Sequence, residues 1–98
     1  MSQAERMALM RDRLTAGLAP RQLEIFDDSD KHIGHAGARG GGHFTVHIVA
    51  QAFAAKPLLE RHRMIYDLLH DMMHTEIHAL SIQARSPDEL QASQPTST

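Results

Sequence analysis

No cysteine occurs anywhere in the 98 residues. That absence removes disulfide bonds, thiolate nucleophiles and any iron-sulfur or Cys-based zinc centre that the chain could ligate by itself. Soft-metal chemistry here has to borrow its sulfur. Surplus positive charge is also missing. Ten Lys and Arg stand against twelve Asp and Glu, a formal net charge of -2, so no whole-molecule field attracts phosphates and nucleic-acid binding needs a local basic patch. Only three Phe and one Tyr are present, which leaves no clear stacking platform for bases. No stretch approaches the roughly 20 apolar residues that span a bilayer. The opening segment, MSQAERMALMRDRL, alternates charge with Met and Leu instead of forming an uninterrupted export-signal core, so a cytoplasmic protein away from membranes is expected. A Ser-centred elbow and a convincing pair of facing carboxylates are lacking too, since Asp27, Asp28 and Asp30 share one turn. An enzyme is not expected.

Histidine is what the chain has in excess, eight in 98 residues, and its imidazole is both a metal ligand and a group that titrates near neutrality. The remainder, 42% hydrophobic and 22% charged, suits one small domain and excludes a second core.

Periodicity divides the chain into helix, strand, strand, helix, strand. Met7, Met10, Leu14 and Leu18 recur at helical spacing over 3–18, with the helix ending near Gly17 and Pro20 beyond. Leu23 and Ile25 alternate with polar residues from Arg21 to Phe26, ahead of the acidic turn Asp27-Asp28-Ser29-Asp30. From Lys31 to Gly42 the sequence is rich in glycine and nearly free of large apolar groups, which predicts a mobile surface loop holding His32 and His35. A second strand is expected from His43 to Phe53, with Phe44, Val46 and Ile48 on one face. Pro57 opens a main helix to about His74, on which Leu58, Leu59, His62, Ile65, Tyr66, Leu69 and Met73 follow a 3.6-residue period. Glu76–Ala84 reads as a third strand with His78, Leu80 and Ile82 on one parity, then Ser-Pro-Asp-Glu as a short helix start. The fold class is α+β, a single domain over 3–91 with a three-stranded mixed sheet, and a disordered tail over 92–98. The first two strands form an antiparallel hairpin, and the helix between strands two and three makes that pair parallel. The pattern resembles the KH-type (class II) fold of RNA-binding modules, which does not by itself fix a function.

RHRMIYDLL at Arg61–Leu69 and IHAL at Ile77–Leu80 follow DDSDKH at Asp27–His32 and HF at His43–Phe44. Together these segments resemble the BolA family, over roughly residues 3–91. The resemblance implies a partner of monothiol glutaredoxins that acts in iron-sulfur trafficking and iron homeostasis, with an older label as a transcriptional regulator of cell shape and stress response. It implies a shared 2Fe-2S cluster, with His78 as one ligand and a loop histidine as another. That loop position falls on His32, and His35, three residues on, is a second candidate. With no cysteine here, the thiolates would come from a glutaredoxin cysteine and from glutathione. Two imidazoles on one iron give a Rieske-like asymmetry and a raised potential. Alone, the chain is expected to be an apo monomer, and with its partner a heterodimer.

The remaining histidines have plainer explanations. His43 and His47 suit the solvated face of a sheet, although His43 lies at the base of the loop. His70 and His74, four apart on the main helix, could chelate an adventitious ion on one helix face. HDMMH imitates the zinc-protease pattern HExxH, but Asp is shorter than the usual Glu base and so small a domain offers no substrate cleft. Arg61, His62, Arg63 and Lys56 form the densest basic cluster, expected either as a solvated helix face or as an edge binding a partner's carboxylates or DNA phosphates.

Overall fold

The order of elements is α1 (Gln3–Leu18), β1 (Gln22–Asp27), β2 (Gly42–Val49), α2 (Leu58–Leu68) and β3 (Ile77–Arg85). These come from a computed structural model that describes residues 1–29 and 42–89. The expected glycine-rich loop, with His32 and His35, lies outside the described residues except for Gly42, and so does the expected tail 92–98. β1 pairs antiparallel with β2, which pairs parallel with β3, giving the sheet order β1-β2-β3. This is the mixed three-stranded α+β arrangement expected from the sequence.

α1 begins where Ser2 can cap it. Glu5 N–H donates to Ser2 Oγ at 3.1 Å while Ser2 N–H donates to Glu5 Oε1 at 2.7 Å, so a capping box satisfies two otherwise unpaired donors. Met10, Leu14 and Leu18, one turn apart, form its buried stripe, and Ala19 closes it in the left-handed region at φ 46°. Gly17 lies inside the helix. A Cβ there would stand 2.5 Å from Leu68 Cδ2, so this glycine serves the approach of α2 rather than the helix stop.

The register fixes which sheet face is wet. Ile25 aligns with Val46, Val46 with Ile82, and Ile48 with Leu23 and Ala84. These residues pack with Met10, Leu14, Ile65 and Leu69 into one core. Because side chains alternate across a strand, Glu24, Phe26, His43, Thr45, His47, Ser81 and Gln83 fall on the opposite face. There the His47 ring meets Phe26 edge-on, with centroids 5.1 Å apart.

Strand ends elsewhere shift by one residue, and the larger departures from the sequence reading lie at the end of β2 and in α2. β2 ends at Val49 rather than Phe53, and a 3-10 turn, Gln51–Phe53, carries Phe53 into the core. α2 starts at Leu58 with Pro57 as its N-cap at ψ 161°, one position earlier than expected for that proline. It ends at Leu68, not His74. Leu69, at φ -104° and ψ 13°, leads into a second 3-10 turn, His70–Met72. The buried face of α2 is accordingly Arg61, Ile65 and Leu69, continued by Met72. Leu58, Leu59 and Tyr66, expected on the apolar stripe, are 62%, 64% and 37% exposed.

Arg61 takes a core-facing position because every donor it buries finds an acceptor. Its guanidinium donates to Lys56 O at 2.8 Å, to Ala84 O at 3.0 Å and to both Glu89 oxygens at 2.5 and 2.7 Å. Glu89 is itself held by Ser86 N–H at 3.0 Å, at the helical turn beginning at residue 87. Two further ion pairs bind α1 to the segment before β3: Arg13 with Asp71, and Arg6 with Glu76 at 2.9 Å.

Candidate functional site

β3 is launched by a tight turn. His74, at φ 71°, donates its backbone N–H to Ile77 O at 2.8 Å, and Met73 bridges to Ile77. The Ile77 side chain is fully buried and anchors the strand's first residue. The ladder then shifts: Gly42 aligns with Ile77 but His43 with Ala79, so His78 has no partner across. An extra residue of this β-bulge kind bends the strand and re-aims its side chain. His78 is exposed.

Beside it stands His43, the first residue of β2 after Gly42. The two imidazole centroids are 5.1 Å apart, with ring planes tilted 48°. The acidic turn after β1 holds this end of β2 in place. His43 N–H donates to Ser29 Oγ at 3.1 Å, Asp28 N–H donates to His43 O at 2.7 Å, and Thr45 Oγ1 donates to Asp28 Oδ2 at 2.5 Å. Gly42 completes the corner, since a Cβ there would meet the Phe44 ring at 2.6 Å and Ser29 Oγ at 3.1 Å.

Two imidazoles bound to one tetrahedral metal, each with a nitrogen about 2.0–2.1 Å away, have ring centroids roughly 5 Å apart. The His43–His78 separation matches that value. Among the described residues no group of three or more His, Asp or Glu could hold a metal ion. The pairing is legible in the sequence only through topology: parallel β2 and β3 place their first residues side by side, and His43 and His78 each stand at a strand start.

The other candidate residues separate. His70 and His74 do not share a helix face, because α2 has already ended. Both nonetheless line, with His78, Tyr66 and Leu80, a groove of about 490 Å³ between α2 and β3. Lys56, His62 and Arg61 line a second groove of about 700 Å³, with Leu58 and Ile82. Of the expected basic edge, Arg63 is exposed, and His62 and Lys56 are half-buried. Arg61, 4% exposed, is committed inside the molecule and does not offer its guanidinium to an outside phosphate. The Arg61 guanidinium, seconded by the Ser86 backbone N–H, pulls the Glu89 carboxyl down to about 2.

Comparison with known proteins agrees with this architecture. The profile of the BolA-like protein family matches residues 14–89, so this chain belongs to the BolA family. SufE-like protein 1, chloroplastic/mitochondrial, of Arabidopsis thaliana is 45% identical over 87 residues, covering 83% of this chain and 24% of that protein. Protein BOLA1, chloroplastic, of the same plant is 42% identical over 88 residues, covering 86% and 55%. The chain thus spans about a quarter of one and about half of the other. The DNA-binding transcriptional regulator BolA of Escherichia coli is 35% identical over 85 residues, covering 87% of this chain and 79% of that one. Among solved structures, the BolA domain of SufE1 from Arabidopsis thaliana superposes with a TM-score of 0.77 at 43% identity, over 91% of this chain and 98% of that one.

Proposed function

We propose that this chain is an adaptor, not an enzyme: it binds a monothiol glutaredoxin in the cytoplasm and donates His78 to a 2Fe-2S cluster held between them. The observation that carries the reading is the imidazole pair at the start of β2 and β3, an exposed His78 beside a half-buried His43. His78, the bulge residue, is turned outward with a second imidazole at ligand-sharing distance. The cluster is cargo, and it supplies an iron that accepts imidazole and thiolate together. With no cysteine in the chain, both thiolates come from the partner's cysteine and from glutathione. For the second imidazole the family resemblance points to His32 or His35, and the 5.1 Å separation supports His43.

Reconstitution with a monothiol glutaredoxin, iron, sulfide and glutathione tests this. His78→Ala should abolish or strongly shift the visible absorption of the heterocomplex. His43→Ala, compared with His32→Ala plus His35→Ala, identifies the second ligand. A heterocomplex whose spectrum survives His78→Ala contradicts the proposal.

A second reading has one specific support, the Escherichia coli relative named as a DNA-binding transcriptional regulator. Here Lys56, His62 and Arg63 would carry phosphate contacts, without Arg61. Salt-dependent promoter binding that disappears with Lys56→Ala plus Arg63→Ala favours that reading, and salt-insensitive binding opposes it.

A further inference from the structure

In the order β1-β2-β3, β3 has a strand neighbour on one side only among the described residues. Ala50 N–H donates to Arg85 O at 3.0 Å, so Arg85, Gln83 and Ser81 turn their backbone N–H and C=O toward β2. Alternate residues of an extended strand face the other way. Ala84 follows that parity, because its carbonyl points away from β2 and accepts from Arg61. Leu80 and Ile82 share it. Two N–H and two C=O groups therefore face the outer edge without a hydrogen-bond partner among the described residues. The bulge at His78 bounds this window at one end and the Arg61 cap at the other.

Edge strands are commonly blunted by proline, by inward charge or by a covering element. Ile77–Arg85 contains no proline, and open grooves border it along its length. One touches His78, Ala79 and Leu80, the other Ile82, Gln83 and Ala84. The opposite bank is α2, where the exposed Leu58 and Tyr66 line the grooves. At the Ala84 end the bank is positive. Lys56 and Arg85 line the wider groove without a salt bridge among the described residues, while Arg61 and Glu89 in the same lining offset one another and Arg85 acts on Glu89 only through space, so the balance is positive.

We propose that the free edge of β3 takes an extended acidic peptide strand from a partner protein. It adds as a fourth strand over Leu80–Ile82, with its carboxylates beside Lys56 and Arg85. Donors and acceptors alternate along this edge, as they do along a polypeptide. A DNA backbone, whose phosphates and deoxyriboses only accept, leaves the Leu80 and Ile82 carbonyls unpaired. The proposal stands on backbone geometry and charge and does not depend on a bound cluster.

Amide hydrogen exchange on the full chain tests it with three probes: the capped peptide Thr-Val-Thr-Val-Glu-Glu, its counterpart ending in Lys-Lys, and an eight-residue oligothymidylate. The acidic peptide should slow exchange at Leu80 and Ile82 at least about fivefold, the ratio one added backbone hydrogen bond gives. The Lys-Lys peptide should bind more weakly. Lys56→Glu with Arg85→Glu should reverse that preference. The proposal is overturned if Leu80 and Ile82 are already protected in the chain alone, if saturating acidic peptide leaves them unchanged, if the charge swap has no effect, or if only the oligothymidylate protects this edge.

Discussion

Replacing Arg61 by alanine is expected to unfold this domain far more readily than replacing Arg63, two residues away. Arg61 is 4% exposed and its guanidinium satisfies two backbone carbonyls and a carboxylate from three segments. Arg63 is exposed on the same helix. Each charge-assisted hydrogen bond to a carbonyl contributes about 1.5 kcal/mol or more, and its loss leaves the acceptor short of a donor. The two carbonyls together account for about 3 kcal/mol. The Glu89 side chain is 47% exposed, so solvent screens that pair and it adds little to the two carbonyl bonds. A loss of about 3 kcal/mol lowers the melting temperature of a domain this size by roughly 12 °C or more, whereas Arg63→Ala should stay within about 0.5 kcal/mol of the parent. Urea unfolding followed by circular dichroism measures both. A loss below about 1 kcal/mol for Arg61→Ala, or equal losses for the two variants, refutes the role of Arg61 as an internal clamp. The same comparison bears on nucleic-acid binding, because an Arg61 variant that loses DNA binding by unfolding says nothing about phosphate contacts.

Gly42→Ala should destabilise by about 1–2 kcal/mol, since the added methyl meets the rigid, buried Phe44 ring at 2.6 Å and overpacking of that size costs this much. It should also disturb the His43 and His78 resonances in an NMR spectrum, and unchanged stability with unchanged shifts would oppose the packing role. Acid titration should expose the Arg61–Glu89 pair. The Glu89 carboxyl is lowered from 4.5 to about 2, so its stabilisation is complete above pH 4.5 and is lost as pH falls toward 2. Glu89→Gln should flatten the stability curve across that interval, and an equally steep fall in the variant contradicts the linkage.

The fold was legible where one short-range rule sufficed. Met10, Leu14 and Leu18 mark α1 by spacing alone, and Phe44, Val46 and Ile48 mark the core face of β2 by alternation. α2 misled for a physical reason. Leu58, Leu59 and Tyr66 fit a helical stripe, yet the true face is phased by Arg61, whose burial depends on Ala84 and Glu89, 23 and 28 residues on. No local pattern reveals that a charged side chain has its acceptors waiting. For the site, His78 stood out through its motif, but its proximity to His43 needed the parallel register and the bulge, both properties of paired strands. The loop histidines remain outside the described residues, so their part in the site rests on resemblance alone.

Whether an imidazole of this chain binds cluster iron is read out by pulsed electron paramagnetic resonance of the reduced heterocomplex. The chain would carry ¹⁵N-labelled histidine, with glutaredoxin and glutathione unlabelled. Iron ligation by His78 should give strong ¹⁵N hyperfine couplings that diminish with His78→Ala. A spectrum that the label leaves unchanged, in a complex that still holds its cluster, contradicts it.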